Sequence, residues 1–282
     1  MFDLVIIGSG PAGISAGIYA KRANMKVLIV SKHQGSIKTH HKYENYYGFD
    51  TITGEELMEK GIQQAKKLNI EMVEDEVVGI EYTGDYVVKT TQNSFTTKAI
   101  IIATGGARKT PNIKGLKEKE GRGVSYCALC DGFFYRQKTV GVIGNGEYAY
   151  HEAKELANIG VNVTIYTNGL QPEFQETDLP VVTEKILEIK GAETVEAIAT
   201  ESHEQAVSGL FIAIGVAGGF DFAKTLGAQI ENNKIVVDEN MATNIPGLYA
   251  AGDVTGGMLQ VAKAVYEGAK AATEAIKFIR KK

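Results

Sequence analysis

The sequence predicts an α/β protein made of two Rossmann-like domains, the smaller inserted into the larger. A strand, a glycine-rich turn, a helix and a second strand follow one another within the first thirty residues. The same order recurs 136 residues later, where Gly144 takes the place of Gly8. Short apolar runs bounded by turn residues elsewhere in the chain are typical of buried parallel strands.

The first unit has predicted strands at residues 4–7 and 27–30, on either side of a helix at 14–22. In the second unit, strands at 139–143 and 161–166 flank a helix at 150–158. Further predicted elements are helices at 54–68 and 259–280 and buried strands at 99–103 and 209–215. We therefore predict a discontinuous domain of residues 1–114 and 211–282, with a central domain of residues 115–210.

The composition narrows the classes of protein. The chain has 282 residues, of which 44% are hydrophobic and 23% charged, an ordinary balance for a globular protein. The formal net charge of −4 does not favour nucleic-acid binding. No apolar run approaches the roughly 18 residues needed to span a bilayer, and the N-terminus lacks the basic region of a signal peptide. We expect a cytoplasmic protein with no nucleic acid and no membrane as partner.

The first glycine-rich turn, Gly8-x-Gly10-x-x-Gly13, has the spacing of a dinucleotide-binding loop. Its glycines permit a tight turn, a close approach of the backbone to a pyrophosphate, and close packing of helix and strand. The phosphates would meet N–H groups at the positive end of the helix dipole. A carboxylate is expected about 20 residues further on to bind the adenosine ribose, but the second strand ends at Ser31 and Lys32.

The second turn, Gly144-x-Gly146-x-x-Ala149, keeps the spacing but is degenerate. Tyr148 places a bulky side chain where the backbone and a phosphate should come close. After the second strand, residues 167–169 offer neither a carboxylate for a ribose hydroxyl nor an arginine for a 2′-phosphate. We predict a domain that no longer binds a nicotinamide dinucleotide, and a working nicotinamide site is the alternative.

The two cysteines of the chain, Cys127 and Cys130, have the spacing of a redox dithiol. A helix N-terminus would lower a thiol pKa and favour the attacking thiolate, and exchange then proceeds through a mixed disulfide. Asp131 adjoins the pair and could transfer the proton that exchange requires. Half of a zinc site is one alternative, although the chain has no other cysteine to complete it, so no metal is expected. Two inert buried cysteines are another alternative.

Residues 108–122 include six basic residues against two acidic ones. Docking of an acidic redox partner is one interpretation of this segment, and a solvated loop is the other. His151 and His203 each stand alone in the sequence and are interpreted as surface residues.

Several longer segments resemble the low-molecular-weight thioredoxin reductases and together extend over nearly the whole chain. Residues 121–135, around the two cysteines, are close to the redox-active segment of that family. Residues 43–49 resemble its flavin-contacting loop, residues 103–105 its second flavin motif and residues 246–254 its C-terminal flavin motif. Gln260 matches a further flavin contact.

The resemblance implies a homodimeric, FAD-dependent thioredoxin-disulfide reductase. It implies that Cys127 attacks the protein substrate, that Cys130 faces the flavin, and that Asp131 is the acid for the exchange. It also implies a set of FAD-binding residues on the flavin motifs: Gly8, Ser9, Gly10, Pro11, Ala12, Gly13, Ser31, Asn45, Thr104, Gly105, Gly252, Asp253 and Gln260.

The departures from the family all fall on nicotinamide binding. Members that use NADPH carry a serine where Tyr148 stands, a His-Arg-Arg run after the strand that ends at Tyr166, and an arginine where Leu259 stands. This pattern resembles the ferredoxin-dependent flavin thioredoxin reductases, which do not use pyridine nucleotides, and it implies reduced ferredoxin as the electron donor. An NAD(P)H-dependent thioredoxin reductase is the alternative, and a flavin-binding sensor or scaffold without turnover is a further one.

Overall fold

The computed structural model describes residues 1–32, 37, 42–106, 111–126, 128–174, 177–214 and 219–281, and for Leu129 and Cys130 the backbone alone. The chain divides into two compact units. Unit 1 comprises Met1–Ala107 and Gly218–Lys282, and unit 2 comprises Arg108–Ala217.

Both units combine β-strands with α-helices. The strands among the described residues are β1 (Phe2–Ile7), β2 (Val27–Ser31), β3 (Lys42–Tyr43), β4 (Ile52–Thr53), β5 (Glu71–Glu74), β6 (Val77–Tyr82), β7 (Tyr86–Thr90), β8 (Ser94–Ile102), β9 (Val124–Ser125), β10 (Thr139–Ile143), β11 (Asn162–Tyr166), β12 (Val181–Val182), β13 (Ile186–Lys190), β14 (Ala197–Thr200), β15 (Glu204–Ala206), β16 (Gly209–Ile212), β17 (Ile230–Glu231), β18 (Lys234–Ile235) and β19 (Leu248–Ala250). The helices are α1 (Pro11–Arg22), α2 (Gly54–Lys67), α3 (Ala128–Asp131), α4 (Glu147–Asn158), α5 (Gly219–Thr225) and α6 (Val261–Lys281). In the described part of the chain, none of these helices combines the length and the apolar character that crossing a bilayer requires.

Unit 1 is built on a mixed sheet with the strand order β5-β2-β1-β8-β7-β6, and β19 also pairs with β8. The pairs among β5, β2, β1, β8 and β19 are parallel, whereas β7 runs antiparallel to both of its neighbours. Residues 4–7 of β1 are all buried, as is typical of a parallel strand covered on both faces.

Helices α1 and α6 pack closely against each other in unit 1. A Cβ atom added to Gly268 of α6 would lie 2.0 Å from the carbonyl oxygen of Ala12 in α1, so this approach requires glycine. The Ser15 hydroxyl of α1 donates a hydrogen bond of 2.7 Å to the carbonyl of Val265 in α6. This packing fixes the start of α1, where the first glycine-rich turn lies.

Unit 2 contains a parallel sheet in the order β12-β11-β10-β16-β9 and an antiparallel sheet in the order β13-β14-β15. Strands β10 and β11 pair in register over their whole length and are connected through α4. The second predicted strand–turn–helix–strand unit is therefore present in the structure.

The predicted domain boundaries differ from this division because local turn signals do not show which sheet a buried strand joins. Strand β16 pairs with β10 and β9 in unit 2, so a boundary after residue 210 cuts through that strand. Near the other boundary, Ile113 packs in the apolar core of unit 2. The Lys114 carbonyl accepts a hydrogen bond of 2.8 Å from the N–H of Ile189, so unit 2 begins before residue 115.

Candidate functional site

Four parallel strands of unit 1 end together at one edge of the sheet. Ile102 of β8 pairs with Ile7 of β1 on one side and with Ala250 of β19 on the other. Val30 of β2 pairs with Ile7 as well. In parallel α/β sheets, ligands bind outside the carboxyl ends of the strands. Most predicted cofactor-binding residues end or follow these strands and therefore meet at this edge, namely residues 8–13, Ser31, residues 104–105 and residues 252–253.

The first glycine-rich turn packs tightly against its neighbours at Gly8 and Gly13 but has free space beside Gly10, at the start of α1. A Cβ atom added to Gly8 would lie 2.3 Å from the carbonyl oxygen of Ala103, and one added to Gly13 would lie 1.8 Å from that of Gly8. At Gly10, by contrast, no atom of the described residues lies within 4 Å of an added Cβ. Helix α1 begins at Pro11, which suits a helix start because its missing N–H would have no intrahelical partner there.

The carboxylate that usually follows the second strand is replaced by a hydroxyl pair and an ion pair. The Ser31 hydroxyl donates a hydrogen bond of 2.9 Å to the hydroxyl of Ser9. The Lys32 Nζ lies 2.6 Å from Oε2 of Glu76, whose side chain is only 4% exposed. Glu76 follows β5, which pairs with β2. The acidic side chain of Glu76 thus reaches this edge of the sheet from the end of β5. A rule that looks for a carboxylate directly after β2 could not predict it.

The turn after β19 is held by Thr255 and by two side chains of α6, the half-buried Lys263 and the buried Glu267. Gly252 has φ 86° and donates its N–H to Oε2 of Glu267 at 2.8 Å. The Lys263 Nζ donates to the same carboxylate at 2.9 Å and to the Gly252 carbonyl at 3.0 Å. The Thr255 hydroxyl donates to that carbonyl at 2.8 Å. These contacts fix the backbone that carries Asp253, the predicted ligand of the FAD ribitol.

Sequence reasoning missed Lys263 and Glu267. They lie four residues apart, and Glu267 falls among the buried residues of the last helix. A charged residue at a buried helical position was the signal that could have found them, since such a group requires a partner.

Two predicted flavin contacts that lie 215 residues apart touch each other. The side-chain amide of Asn45 donates a hydrogen bond of 3.0 Å to the side-chain oxygen of Gln260. Gln260 directly precedes α6, whose Lys263 contacts Gly252, so the pair belongs to the same region of unit 1. Leu259, where NADPH-using relatives carry an arginine, is exposed.

The side chains at this edge fit an FAD molecule. The open space at Gly10 is what a backbone needs in order to approach a pyrophosphate. The Asp253 carboxylate can accept hydrogen bonds from the hydroxyls of a ribitol chain, and the amides of Asn45 and Gln260 can both donate and accept at a flavin ring.

The predicted redox motif lies in unit 2 and is described in part. Cys127 lies outside the described residues, and Cys130 is described by its backbone within α3. The Ser125 hydroxyl donates a hydrogen bond of 2.6 Å to Oδ2 of Asp131 and so fixes the orientation of this carboxyl group. Burial, with a smaller contribution from the charge of Asp131, raises the pKa of Tyr135.

Helix α3 and Gly132, the residue after it, lie against α4 and Ile159, the residue after α4. The backbone N–H of Ala128 donates a hydrogen bond of 2.8 Å to Oε2 of Glu152, which is 7% exposed. A Cβ atom added to Gly132 would lie 2.8 Å from Cδ2 of Leu156 and 3.1 Å from Cδ1 of Ile159. Sequence reasoning missed Glu152. The available signal was an acidic residue among the buried positions of a helix.

Two aromatic side chains next to the redox motif face solvent. Phe133 and Phe134 are 64% and 69% exposed and pack edge to face, with ring centroids 6.4 Å apart. The Arg136 guanidinium lies 4.7 Å from the ring centroid of Phe133. Exposed aromatic and arginine side chains are typical of protein–protein contact sites.

The second glycine-rich turn is covered by the chain itself. The backbone N–H of Glu173 donates a hydrogen bond of 2.6 Å to the carbonyl of Asn145. The side-chain amide of Asn145 donates to the carbonyl of Gln171 at 3.1 Å. Phe174 stacks on Tyr150 in the first turn of α4, with ring centroids 5.8 Å apart. Residues 171–174 therefore cross the turn and the start of α4.

In the described part of the basic segment at 108–122, one lysine is paired with a carboxylate and another is buried. Arg108 and Lys109 lie outside the described residues. Lys114 forms an ion pair of 2.9 Å with Glu188, and Lys119 is buried. The prediction that this segment docks an acidic partner gains no support from these contacts.

Comparison with known proteins identifies relatives over the whole chain. The family model described as pyridine nucleotide-disulphide oxidoreductase matches residues 2–268. A thioredoxin reductase of Ureaplasma parvum serovar 3 is 34% identical over 302 residues, covering 99% of this chain and 97% of that protein.

Two solved structures are similar over the whole chain as well. The atypical thioredoxin reductase TRi from Desulfovibrio vulgaris Hildenborough is 39% identical with a TM-score of 0.95, and the match covers 100% of this chain and 99% of that one. A ferredoxin-flavin thioredoxin reductase from Clostridium acetobutylicum is 31% identical with a TM-score of 0.75, again covering 100% of this chain and 99% of that one.

Proposed function

The chain belongs to the thioredoxin reductases of the pyridine nucleotide-disulphide oxidoreductase family, and on this premise we propose that its electrons come from reduced ferredoxin rather than from NAD(P)H. Membership in this family makes the protein an FAD-dependent oxidoreductase that reduces thioredoxin. We further propose Cys127 and Cys130 as its redox pair and a homodimer as its assembly.

The observation that carries the choice of donor is the covering of the second glycine-rich turn by residues 171–174. In a nucleotide-binding domain of this type, the dinucleotide pyrophosphate lies at this turn and at the start of the following helix. Here the Asn145 side chain and carbonyl are engaged by Gln171 and Glu173, and Phe174 stacks on Tyr150. A dinucleotide would have to displace this segment.

The end of β11 gives independent support. A cation is expected there for a 2′-phosphate, but residues 167–174 contain neither lysine nor arginine. The Asn168 side chain accepts a hydrogen bond of 2.9 Å from the N–H of Ile186, and the Thr167 hydroxyl donates to the carbonyl of Leu170. These polar groups are engaged within unit 2 and support a domain that has lost its nucleotide.

Ferredoxin is an energetically sufficient donor. A plant-type ferredoxin has a reduction potential of about −400 mV, and thioredoxin has one of about −270 mV. The difference of roughly 130 mV over two electrons corresponds to about 6 kcal/mol in the direction of thioredoxin reduction. A ferredoxin-flavin thioredoxin reductase is among the similar solved structures, which is consistent with this donor.

The proposed reaction balances in electrons and protons. Two reduced ferredoxins supply two electrons, and two protons complete the reduction of the Cys127–Cys130 disulfide to two thiols. The thiolate of Cys127 then attacks the thioredoxin disulfide to form a mixed disulfide, which Cys130 resolves. Two thiols appear on thioredoxin, and the enzyme disulfide is restored.

Each part of the chain has a role in this reaction. Bound FAD supplies the ability to accept electrons singly and to pass them on in pairs. The turn at Gly8, Gly10 and Gly13 binds its pyrophosphate, and the backbone held by Glu267 places Asp253 for the ribitol. Asp131, oriented by the Ser125 hydroxyl, transfers protons during exchange. The exposed pair Phe133 and Phe134 offers a contact surface for a protein substrate.

The donor is tested by anaerobic reduction of the purified yellow holoenzyme. We expect reduced ferredoxin to bleach the flavin absorbance rapidly, whereas NADPH and NADH leave it unchanged. A thioredoxin reductase that uses NADPH serves as the positive control for the nucleotides. Rapid bleaching by NADPH or NADH would overturn the proposal and establish the alternative, an NAD(P)H-dependent thioredoxin reductase.

A further inference from the structure

We infer that Glu152 is a positioning residue for the dithiol: its buried carboxylate holds the start of helix α3, which carries Cys130, and keeps the pair of Cys127 and Cys130 strongly reducing. This inference rests on the proposed role of Cys127 and Cys130 as the redox pair. It assigns a function to α4, the helix that follows the degenerate glycine-rich turn and carries Glu152.

The geometry places a carboxylate directly beside the redox motif. Oε2 of Glu152 accepts a hydrogen bond of 2.8 Å from the N–H of Ala128, and this nitrogen is covalently bonded to the carbonyl carbon of Cys127. Glu152 is 7% exposed and Ala128 is buried, so water screens this contact weakly.

The contact has two electrostatic consequences for the thiols. An N–H group at the start of a helix ordinarily stabilises a neighbouring thiolate, but the Ala128 N–H is already bound to Glu152. In addition, the negative charge of the carboxylate repels a thiolate that forms near it. Both effects raise the thiol pKa of the pair.

A raised thiol pKa makes the couple more reducing. Reduction adds two electrons and two protons to the disulfide, and a couple becomes oxidising when its reduced form is stabilised as thiolate, as in DsbA. By withholding that stabilisation, Glu152 favours transfer of the electron pair to the thioredoxin disulfide. The role is one of positioning and tuning, because the carboxylate contacts the backbone between the cysteines.

Among the described residues, His151 is an ionisable group beside Glu152, and Asp131 and Tyr135 lie in the segment that follows Ala128. His151 Nδ1 lies 4.0 Å from Oε1 of Glu152, so a protonated imidazole would offset the charge of the carboxylate. The Asp131 carboxylate accepts a hydrogen bond from the Ser125 hydroxyl. Burial raises the pKa of Tyr135. The effect of Glu152 is therefore largest at a pH where His151 is neutral.

The experiment uses the FAD-loaded enzyme and the variant Glu152→Gln, which keeps the shape and an acceptor oxygen but removes the charge. The rate of iodoacetamide alkylation of the reduced enzyme is measured from about pH 5 to about pH 10, and the dithiol is equilibrated with glutathione redox buffers. Glu155→Gln, on the same helix and partly exposed, is the matched control.

For Glu152→Gln we expect faster alkylation near neutral pH, by about three- to tenfold, as a thiol pKa lowered by up to one unit would produce. The thiol–disulfide equilibrium should shift toward the dithiol by up to about tenfold, equivalent to about 30 mV. Glu155→Gln should match the wild type in both measurements.

The outcomes separate this inference from the proposed function. If the wild-type cysteines form no reversible disulfide, both fall together. If they do, and Glu152→Gln leaves the pH profile and the equilibrium unchanged, the inference alone is overturned. Should that variant not fold, Glu152→Asp, which keeps the charge, is expected to retain the wild-type alkylation profile, and a tenfold acceleration in it would overturn the inference equally.

Discussion

The buried carboxylate of Glu267 accepts a hydrogen bond of 2.8 Å from the backbone N–H of Gly252. Gly252 has a positive φ of 86° and immediately precedes Asp253, the proposed ribitol ligand. The last helix of the chain therefore controls the backbone on which a cofactor ligand lies. The same carboxylate pairs with Lys263 at 2.9 Å.

We predict that Glu267→Gln lowers the stability of the enzyme and its retention of FAD. Removing one partner of a buried ion pair costs about 3–5 kcal/mol, because the charge of Lys263 is left uncompensated. Melting temperature and the flavin-to-protein absorbance ratio measure the two effects. Glu274→Gln removes a partner of the more exposed Lys277 on the same helix and should cost at most about 1 kcal/mol. Equal melting temperatures and equal flavin-to-protein ratios for Glu267→Gln and Glu274→Gln would contradict the prediction.

The glycines of the first turn should respond differently to alanine. Gly13→Ala places a Cβ atom 1.8 Å from the Gly8 carbonyl oxygen and should prevent folding of unit 1. Gly10→Ala meets no atom of the described residues within 4 Å, so we expect a folded protein with weakened FAD binding. Circular dichroism and the flavin absorbance ratio distinguish the two. A Gly10→Ala enzyme with wild-type FAD affinity would refute the assignment of this space to the pyrophosphate.

The roles of the two cysteines can be separated by serine substitution. We expect Cys130→Ser to trap a mixed disulfide with a single-cysteine thioredoxin whose thiol is activated as a mixed disulfide with thionitrobenzoate. The Cys127 thiolate displaces the thionitrobenzoate anion, and no second thiol resolves the product. Flavin reduction should persist in this variant while thioredoxin reduction is lost. Cys127→Ser should form no mixed disulfide with that thioredoxin. Non-reducing electrophoresis gives the answer, and trapping through Cys127→Ser instead would reverse the assignment.

Glu184 should make unit 2 sensitive to acid. Hydrogen bonds from the side chains of Ser202 and Thr200 lower the pKa of Glu184 from 4.5 to about 2. Because the pKa in the folded state lies below that of the unfolded chain, the carboxylate contributes stability above about pH 4.5 that is lost as the pH falls toward about 2.

For the variant Glu184→Gln we therefore expect a lower melting temperature than that of the wild type near neutral pH. Its melting temperature should also decrease less than that of the wild type between about pH 5 and about pH 3. The control variant Glu81→Gln removes an exposed ion pair with Lys89. Its melting temperature should decrease with falling pH as that of the wild type does. Parallel declines in all three proteins would show that Glu184 does not contribute to acid sensitivity.

Local sequence accounts for the elements of both units. The predicted helix at 54–68 is observed as Gly54–Lys67. Its start is capped because the Thr53 hydroxyl accepts a hydrogen bond from the N–H of Glu56 and the Glu56 carboxylate accepts one from the N–H of Thr53. The predicted last helix at 259–280 is observed as Val261–Lys281. Such signals act over a few residues and can be recognised without the fold.

His151, predicted at the surface, is partly exposed. The structure leaves 24% of its side chain exposed and places it beside Glu152. A single histidine in a sequence carries no signal of what packs over it, so its partial burial was not predictable. His203 is largely exposed, as predicted, and contacts Glu184 at 2.9 Å.

By itself, the sequence determined the two strand–turn–helix–strand units, the family and the FAD requirement, because each depends on residues close together in the chain. The tertiary structure alone decided that β16 belongs to unit 2, that residues 171–174 cover the second turn, and that Glu152 binds the backbone beside Cys127. The Asn145–Gln171 and Ala128–Glu152 contacts join residues 26 and 24 positions apart. Hydrogen bonds over such separations form only when the parallel sheet brings distant segments together, and no local spacing encodes them.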